Sequence, residues 1–141
     1  MREAPMERKR ILVVDDDDAM RTGLASLLAS DTVVIRTASS REEAEALYSA
    51  ETFDLVITDL RLKGGRDREG LDLIREIKQQ SPMTRVVLLT GYGSAEIERE
   101  ARQRGADDYW EKAILIPELL ARLHALGISL KPQVDQDSCK S

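Results

Sequence analysis

Cysteine is almost absent from this chain: Cys139 is the only one, and it stands in the polar C-terminal stretch. With no partner it excludes an intrachain disulfide framework, and a reducing cytoplasm is the expected compartment. Aromatic residues make up only 4% of the sequence, so the core must be built from Val, Leu, Ile and Ala. An excess of positive charge is missing too. The formal net charge is −5 and the pI about 5.0, which offers no overall attraction to nucleic acid or to an anionic membrane. No run approaches the ~18 uninterrupted apolar residues of a membrane span. Residues 1–10 are charged and lack the roughly 7–15-residue apolar stretch of a signal peptide.

What remains is 141 residues, 42% hydrophobic and 33% charged. That composition and length suit one globular domain with a core of its own and exclude a disordered chain. The domain is expected over residues 9–128, between an N-terminal tail (1–8) and a polar C-terminal tail (129–141) without periodicity, expected to be disordered.

Short apolar runs and helical stripes alternate along the domain. Ile11, Leu12, Val13 and Val14 form a continuous run rich in β-branched residues, as in a strand covered on both faces. Met20, Leu24, Leu27 and Leu28 then recur at helical spacing. A second strand is expected over residues 32–36. Ser40-Arg41-Glu42-Glu43 reads as a capping box opening a helix with Ala44, Leu47 and Tyr48. Leu55 to Thr58 form a third strand ending at Asp59. A Gly-rich, charged loop leads to a helix bearing Leu71, Ile74 and Ile77, which stops at Ser81-Pro82. Val86 to Leu89 form a fourth strand, ending at Thr90. The next helix, residues 94–104, is thinly apolar (Ala95, Ile97, Ala101) and closed by Gly105. Tyr109-Trp110 marks a fifth strand, and Pro117 opens a last helix with Leu119, Leu120, Leu123 and Leu126. The alternation predicts an α/β fold, a five-stranded parallel sheet with helices on both faces, flavodoxin-like.

Ligands of such sheets bind beyond the carboxyl ends of the strands. There the chain places Asp15 and Asp16, Asp59, Thr90 and Lys112. Three clustered carboxylates repel one another unless a cation joins them, and Mg²⁺ takes carboxylate oxygens readily. A phosphoryl group arriving on Asp59 could be neutralised by Mg²⁺ and Lys112 while Thr90 donates a hydrogen bond, which is the electrostatic stabilisation that phosphoryl transfer needs.

Four motifs in order resemble the receiver domain of two-component response regulators. They are Ile11-Leu12-Val13-Val14-Asp15-Asp16-Asp17, Asp54-Leu55-Val56-Ile57-Thr58-Asp59-Leu60, Leu88-Leu89-Thr90-Gly91-Tyr92-Gly93 and Gly105-Ala106-Asp107-Asp108-Tyr109-Trp110-Glu111-Lys112. The resemblance covers roughly residues 9–128. It implies a switch that accepts a phosphoryl group on Asp59 from a histidine kinase or phosphotransfer protein. It also implies Mg²⁺ on Asp15, Asp16, Asp59 and the backbone carbonyl of Arg61, with Thr90 and Tyr109 as a switch pair. Self-association, if any, is expected through the fourth helix, fifth strand and last helix. Three departures concern loop geometry. Leu62-Lys63 replaces the family's Met-Pro, the loop over residues 64–70 is about three residues longer, and Ala113 replaces the proline after the lysine. The last departure predicts a trans Lys112–Ala113 bond, since cis costs about 2.5–4 kcal/mol without proline.

Blander readings stand beside these. An acidic run such as Asp15–Asp18 alone is more often a cap or turn, Tyr109 alone a core residue, Lys112 alone a surface lysine, and the sole histidine, His124, a surface residue rather than a phosphodonor. Asp15-Asp16-Asp17 also mimics the Asp-x-Asp signature of haloacid-dehalogenase-type phosphatases, and a receiver-like module acting by docking alone is a further alternative. Whether the domain stands alone or belongs to a longer regulator is left open.

Overall fold

The first apolar run forms β1 (Lys9–Val14), whose last four residues are buried. The computed structural model describes residues 8–62, 69–91 and 93–128. After β1 follow α1 (Asp18–Leu28), β2 (Val33–Ala38), α2 (Arg41–Ala50), β3 (Leu55–Thr58), α3 (Glu69–Gln80), β4 (Arg85–Thr90), α4 (Ala95–Gln103), β5 (Asp108–Glu111) and α5 (Ile116–Ala125). The strands pair in parallel in the order β2-β1-β3-β4-β5. This is the expected five-stranded α/β architecture. Its strand order reverses between β1 and β3, which opens a crevice beyond their carboxyl ends.

Successive strand residues feed opposite cores. Leu12, Val14, Val56, Val86, Leu88 and Tyr109 pack with α2, α3 and α4. Ile11, Val13, Ile57, Leu89 and Trp110 pack with α1 and α5. Burial on both faces is why these strands are written as unbroken apolar runs rather than as alternating ones.

The expected boundaries hold within two residues, with instructive exceptions. β2 runs on to Ala38, which is buried. The box at α2 closes one residue upstream of its simplest form. Ser40 Oγ accepts from the Glu43 amide at 3.2 Å, but the Glu43 carboxylate takes the amide and hydroxyl of Ser39 (2.7 and 3.0 Å) instead of reaching back to Ser40. On α4 only Ile97 and Ala101 are buried, so the anchor is thinner than the three-residue stripe the sequence suggests, and Ala95 faces solvent. Gly105, at φ 112°, ends α4 as expected, because a left-handed closing residue suits glycine. Leu126 caps α5 rather than lying within it.

The expected loop lengthening over residues 64–68, Lys63 and Tyr92 lie outside the described residues, as do most of the expected N-terminal tail and the expected disordered C-terminal tail. Among the described residues no helix is long and apolar enough to cross a membrane.

Candidate functional site

Asp15 and Asp59 each occupy the rung after their strand ends. The Asp15 amide donates to the Ala38 carbonyl (3.1 Å) and the Asp59 amide to the Val14 carbonyl (2.9 Å), so the ladder itself carries both side chains to the crevice. Asp15 is 2% exposed and Asp59 8%, while Asp16 lies at the surface. One carboxylate oxygen from each of the three falls within 4.8 Å of the others. The remaining acids of the run serve α1, where Asp17 caps the helix by accepting from Met20 N and Asp18 pairs with Arg21. The bland reading of the run is therefore correct for its second half.

Lys112 enters from the end of β5, and its Nζ stands 3.1 Å from both Asp15 Oδ2 and Asp59 Oδ2. Its amide donates to the Thr90 carbonyl at 3.0 Å, and a turn closed by Ile114 N to Glu111 O (2.9 Å) follows. No cis peptide bond occurs among the described residues. The Lys112–Ala113 bond is thus trans, as expected, and the ammonium still reaches the acids.

The electrostatics follow from this crowding. Burial first, and then the Asp15 charge, push the Asp59 carboxyl above its ordinary range, against the pull of Lys112 and the Leu60 amide. For Lys112, burial favours the neutral amine, but hydrogen bonds and charges from Asp15 and Asp59 outweigh it and raise its pKa. Three carboxylates against one ammonium leave negative charge uncompensated in a partly buried place, and such an oxygen-rich cluster can bind a metal ion. The Asp59 carboxylate is also fixed in rotation, since its Oδ1 accepts from the Leu60 amide at 2.7 Å.

Thr90 is fully buried at the end of β4. Tyr109 points inward, and a Cβ added at Gly93 would overlap its hydroxyl and stand 2.7 Å from its Cζ. The phenol is pushed up, by burial first and then by Glu111 and Glu98, with only the nearby Ser94 backbone opposing. Its oxygen makes no hydrogen bond of ordinary geometry among the described residues. Arg61 is exposed, two residues beyond Asp59, and His124 is exposed on α5.

Two residues escaped sequence reasoning, one at the site and one at the start of β5. Gly70 lies so close to the Asp59 backbone that a Cβ would overlap the Asp59 carbonyl oxygen and stand 2.9 Å from its carbon. Its place at the end of a Gly-rich loop was the only hint. Asp108 binds the Trp110 indole, the Tyr109 amide, Arg102 and Arg122 at once, and nothing in a motif of neighbouring acids foretells that.

Acids at the reversal of strand order, a buried hydroxyl on β4 and an ammonium on β5 define a class of α/β domain, and comparison with known proteins agrees. Residues 11–124 match the response regulator receiver domain, and the chain belongs to that family. It is 38% identical to the response regulator protein PilR of Pseudomonas aeruginosa over 109 residues, 77% of this chain and 24% of PilR. The chain therefore spans about a quarter of that relative's length. The receiver domain of NtrX from Brucella abortus is 37% identical, with a TM-score of 0.74 over 84% of this chain and 99% of that one. A CheY-like receiver domain protein from Methanospirillum hungatei is 27% identical, with a TM-score of 0.77 over 96% of this chain and 100% of that one. The domain is accordingly a phosphoacceptor module of two-component signalling, a phosphorylation-dependent switch, and the phosphatase and pure docking readings are set aside.

Proposed function

We propose that Asp59 accepts the phosphoryl group, with Lys112 and Thr90 as the groups that balance and bind it. The observation that carries this reading is the equal 3.1 Å approach of Lys112 Nζ to Asp59 and Asp15. A cation shared between the acceptor and its neighbour can follow negative charge as it builds on Asp59. An Asp59 carboxylate oxygen attacks phosphorus on the phosphohistidine of a histidine kinase or phosphotransfer protein. A P–O bond forms, the P–N bond breaks, and the electron pair leaves with the imidazole nitrogen. The Leu60 amide holds the carboxylate in one rotation during attack, while the Thr90 hydroxyl donates to a phosphoryl oxygen. Asp15, Asp16, Asp59 and the Arg61 carbonyl are the group that would hold Mg²⁺, an all-oxygen set suited to that ion. When bound, the ion supplies neutralisation of phosphoryl charge. Loss of the phosphoryl group follows by attack of water on phosphorus at the same centre, which restores the Asp59 carboxylate.

Thr90 and Tyr109 form the switch. The tyrosine is held inward with its hydroxyl against Gly93, a state that a shift of Thr90 toward the phosphoryl group releases. The face of α4, β5 and α5 above them is the surface for self-association, and the thin anchor of α4 supports its mobility. The domain is read as residues 9–128 between tails and as cytoplasmic. It binds neither nucleic acid nor membrane directly, in keeping with its negative charge. The test is mass spectrometry after acetyl phosphate treatment. One phosphoryl group should appear, dependent on Mg²⁺, on Asp59, and persistence of that gain in Asp59→Asn would disprove the assignment.

A further inference from the structure

Away from the crevice, α2 and α3 are joined by a cluster of charges centred on Arg41, the first residue of α2. Its guanidinium uses all three nitrogens. Nη1 lies 3.1 Å from Glu69 and 3.8 Å from Asp72, Nη2 pairs with Glu76, and Nε lies 3.2 Å from Glu45 on its own helix. Glu69, Asp72 and Glu76 recur at spacings of three and four along one stripe of α3. One planar fork thus straps the first two turns of α3, an arrangement a lysine's single ammonium cannot copy. Arg41 is itself held in place, because Ser40 caps α2 and the Arg41 side chain is only 26% exposed. Tyr48 donates to the other oxygen of Glu76 at 3.2 Å and keeps that carboxylate turned to the strap.

We propose that Arg41 is a positioning residue for Asp59, acting through the first turn of α3. The path is short and each link is a contact. Glu69 precedes Gly70, whose amide donates to the Leu60 carbonyl at 2.8 Å and whose Cα abuts the Asp59 carbonyl with no room for a Cβ. The other side of the same residue, the Leu60 amide, holds Asp59 Oδ1 at 2.7 Å. Leu60 is therefore gripped from α3 by its carbonyl and aims the acceptor carboxylate by its amide. Removal of the strap takes the guanidinium from between Glu45 and Glu76 and cuts the tie that Arg41 makes from α2 to Glu69, so the α3 turn moves and the aim of Asp59 moves with it.

The inference rests on the reading of Asp59 as phosphoacceptor, and the experiment separates the two. Labelling rate from acetyl phosphate with Mg²⁺, phosphoaspartate half-life, melting temperature and the backbone amide resonance of Leu60 are measured for wild type, Arg41→Gln, Arg41→Lys and Glu69→Gln. Arg36→Gln, which breaks a surface pair with Glu51 far from this path, is the control. Arg41→Gln is expected to slow labelling on the order of tenfold, within the ~100-fold that a misplacement near 1 Å can cost. It should also shift the Leu60 resonance, with Arg41→Lys restoring little and the control unchanged. A fall in melting temperature with labelling, half-life and the Leu60 resonance all at wild-type values overturns the proposal and leaves Arg41 a stabilising ion pair. If Arg41→Gln does not fold, Glu69→Gln decides by the same readouts. Wild type that takes no label on Asp59 refutes the phosphoacceptor reading instead, and the Leu60 resonance still decides whether Arg41 positions that residue.

Discussion

Replacing Asp108 with alanine should destabilise the domain by about 2–4 kcal/mol, and the reason lies in a single buried donor. Trp110 is 1% exposed, and its indole N–H donates to Asp108 Oδ2 at 2.6 Å. Asp108 also accepts from the Tyr109 amide at 2.8 Å and pairs with Arg102 and Arg122 at 3.2 and 3.1 Å. The arginines are substantially exposed, so each pair contributes only about 0–1 kcal/mol. A hydrogen bond to a charged group contributes ~1.5–3 kcal/mol, and a buried donor left unmade costs ~1–3 kcal/mol, so the indole dominates. At roughly 3–5 °C per kcal/mol for a domain of this size, the melting temperature should fall by about 6–20 °C. The assay is a double-mutant cycle with Trp110→Phe, followed by urea and thermal melts. In the phenylalanine background no N–H is stranded, so the coupling should be about 1–2 kcal/mol. A coupling below about 0.5 kcal/mol would refute the argument. The pH dependence has a definite sign. Burial pushes the Asp108 carboxyl up, but hydrogen bonds from Trp110 and the Tyr109 amide, with the charge of Arg122, hold it below the ordinary carboxylate range. A depressed folded pKa means that the stabilisation is complete above the unfolded value near ~3.9 and is lost as pH falls through the folded one. The gap between wild type and Asp108→Ala should therefore narrow below about pH 4.

Three further outcomes are expected. Gly93→Ala places a methyl group on the Tyr109 hydroxyl and should drive the ring outward, so Tyr109 becomes open to nitration without any phosphodonor; continued protection in a folded variant would show that the backbone yields instead. Lys112→Ala leaves Asp15 and Asp59 without their shared cation and should slow labelling by on the order of 10²-fold, the cost of losing one preorganised charge partner; an unchanged rate would remove the lysine from the chemistry. Mg²⁺ at ten times its Kd should stabilise the fold by about 1.4 kcal/mol, and Asp15→Asn should abolish most of that gain while EDTA prevents labelling of wild type; equal stabilisation of the variant would place the ion elsewhere.

Much of this domain is written locally. Ile11 to Val14 and Leu55 to Thr58 read as strands buried on both faces, and Ser40, Ser94 and Gly105 mark helix ends through hydrogen-bond chemistry that operates within a few residues. Once a parallel sheet follows from the alternation, the strand ends are known, and Asp15, Asp16, Asp59, Thr90 and Lys112 are legible because each directly follows or ends an apolar run or a short strand. Even the trans Lys112–Ala113 bond follows from intrinsic peptide energetics, a property of two residues.

What the sequence could not determine is every role that depends on where two distant segments meet. The split of the acidic run, with Asp15 and Asp16 at the crevice and Asp17 and Asp18 serving α1, depends on where β1 ends against β2 and β3. The seat of Gly70 on the Asp59 backbone, the hub made by Asp108 around a buried indole, and the strap of Arg41 along α3 depend on side chains converging from different helices and strands. Local propensity and periodicity act over a few residues along the chain. These contacts bridge up to 35 residues between Arg41 and Glu76, and only the packed sheet and its helices bring them within hydrogen-bonding distance.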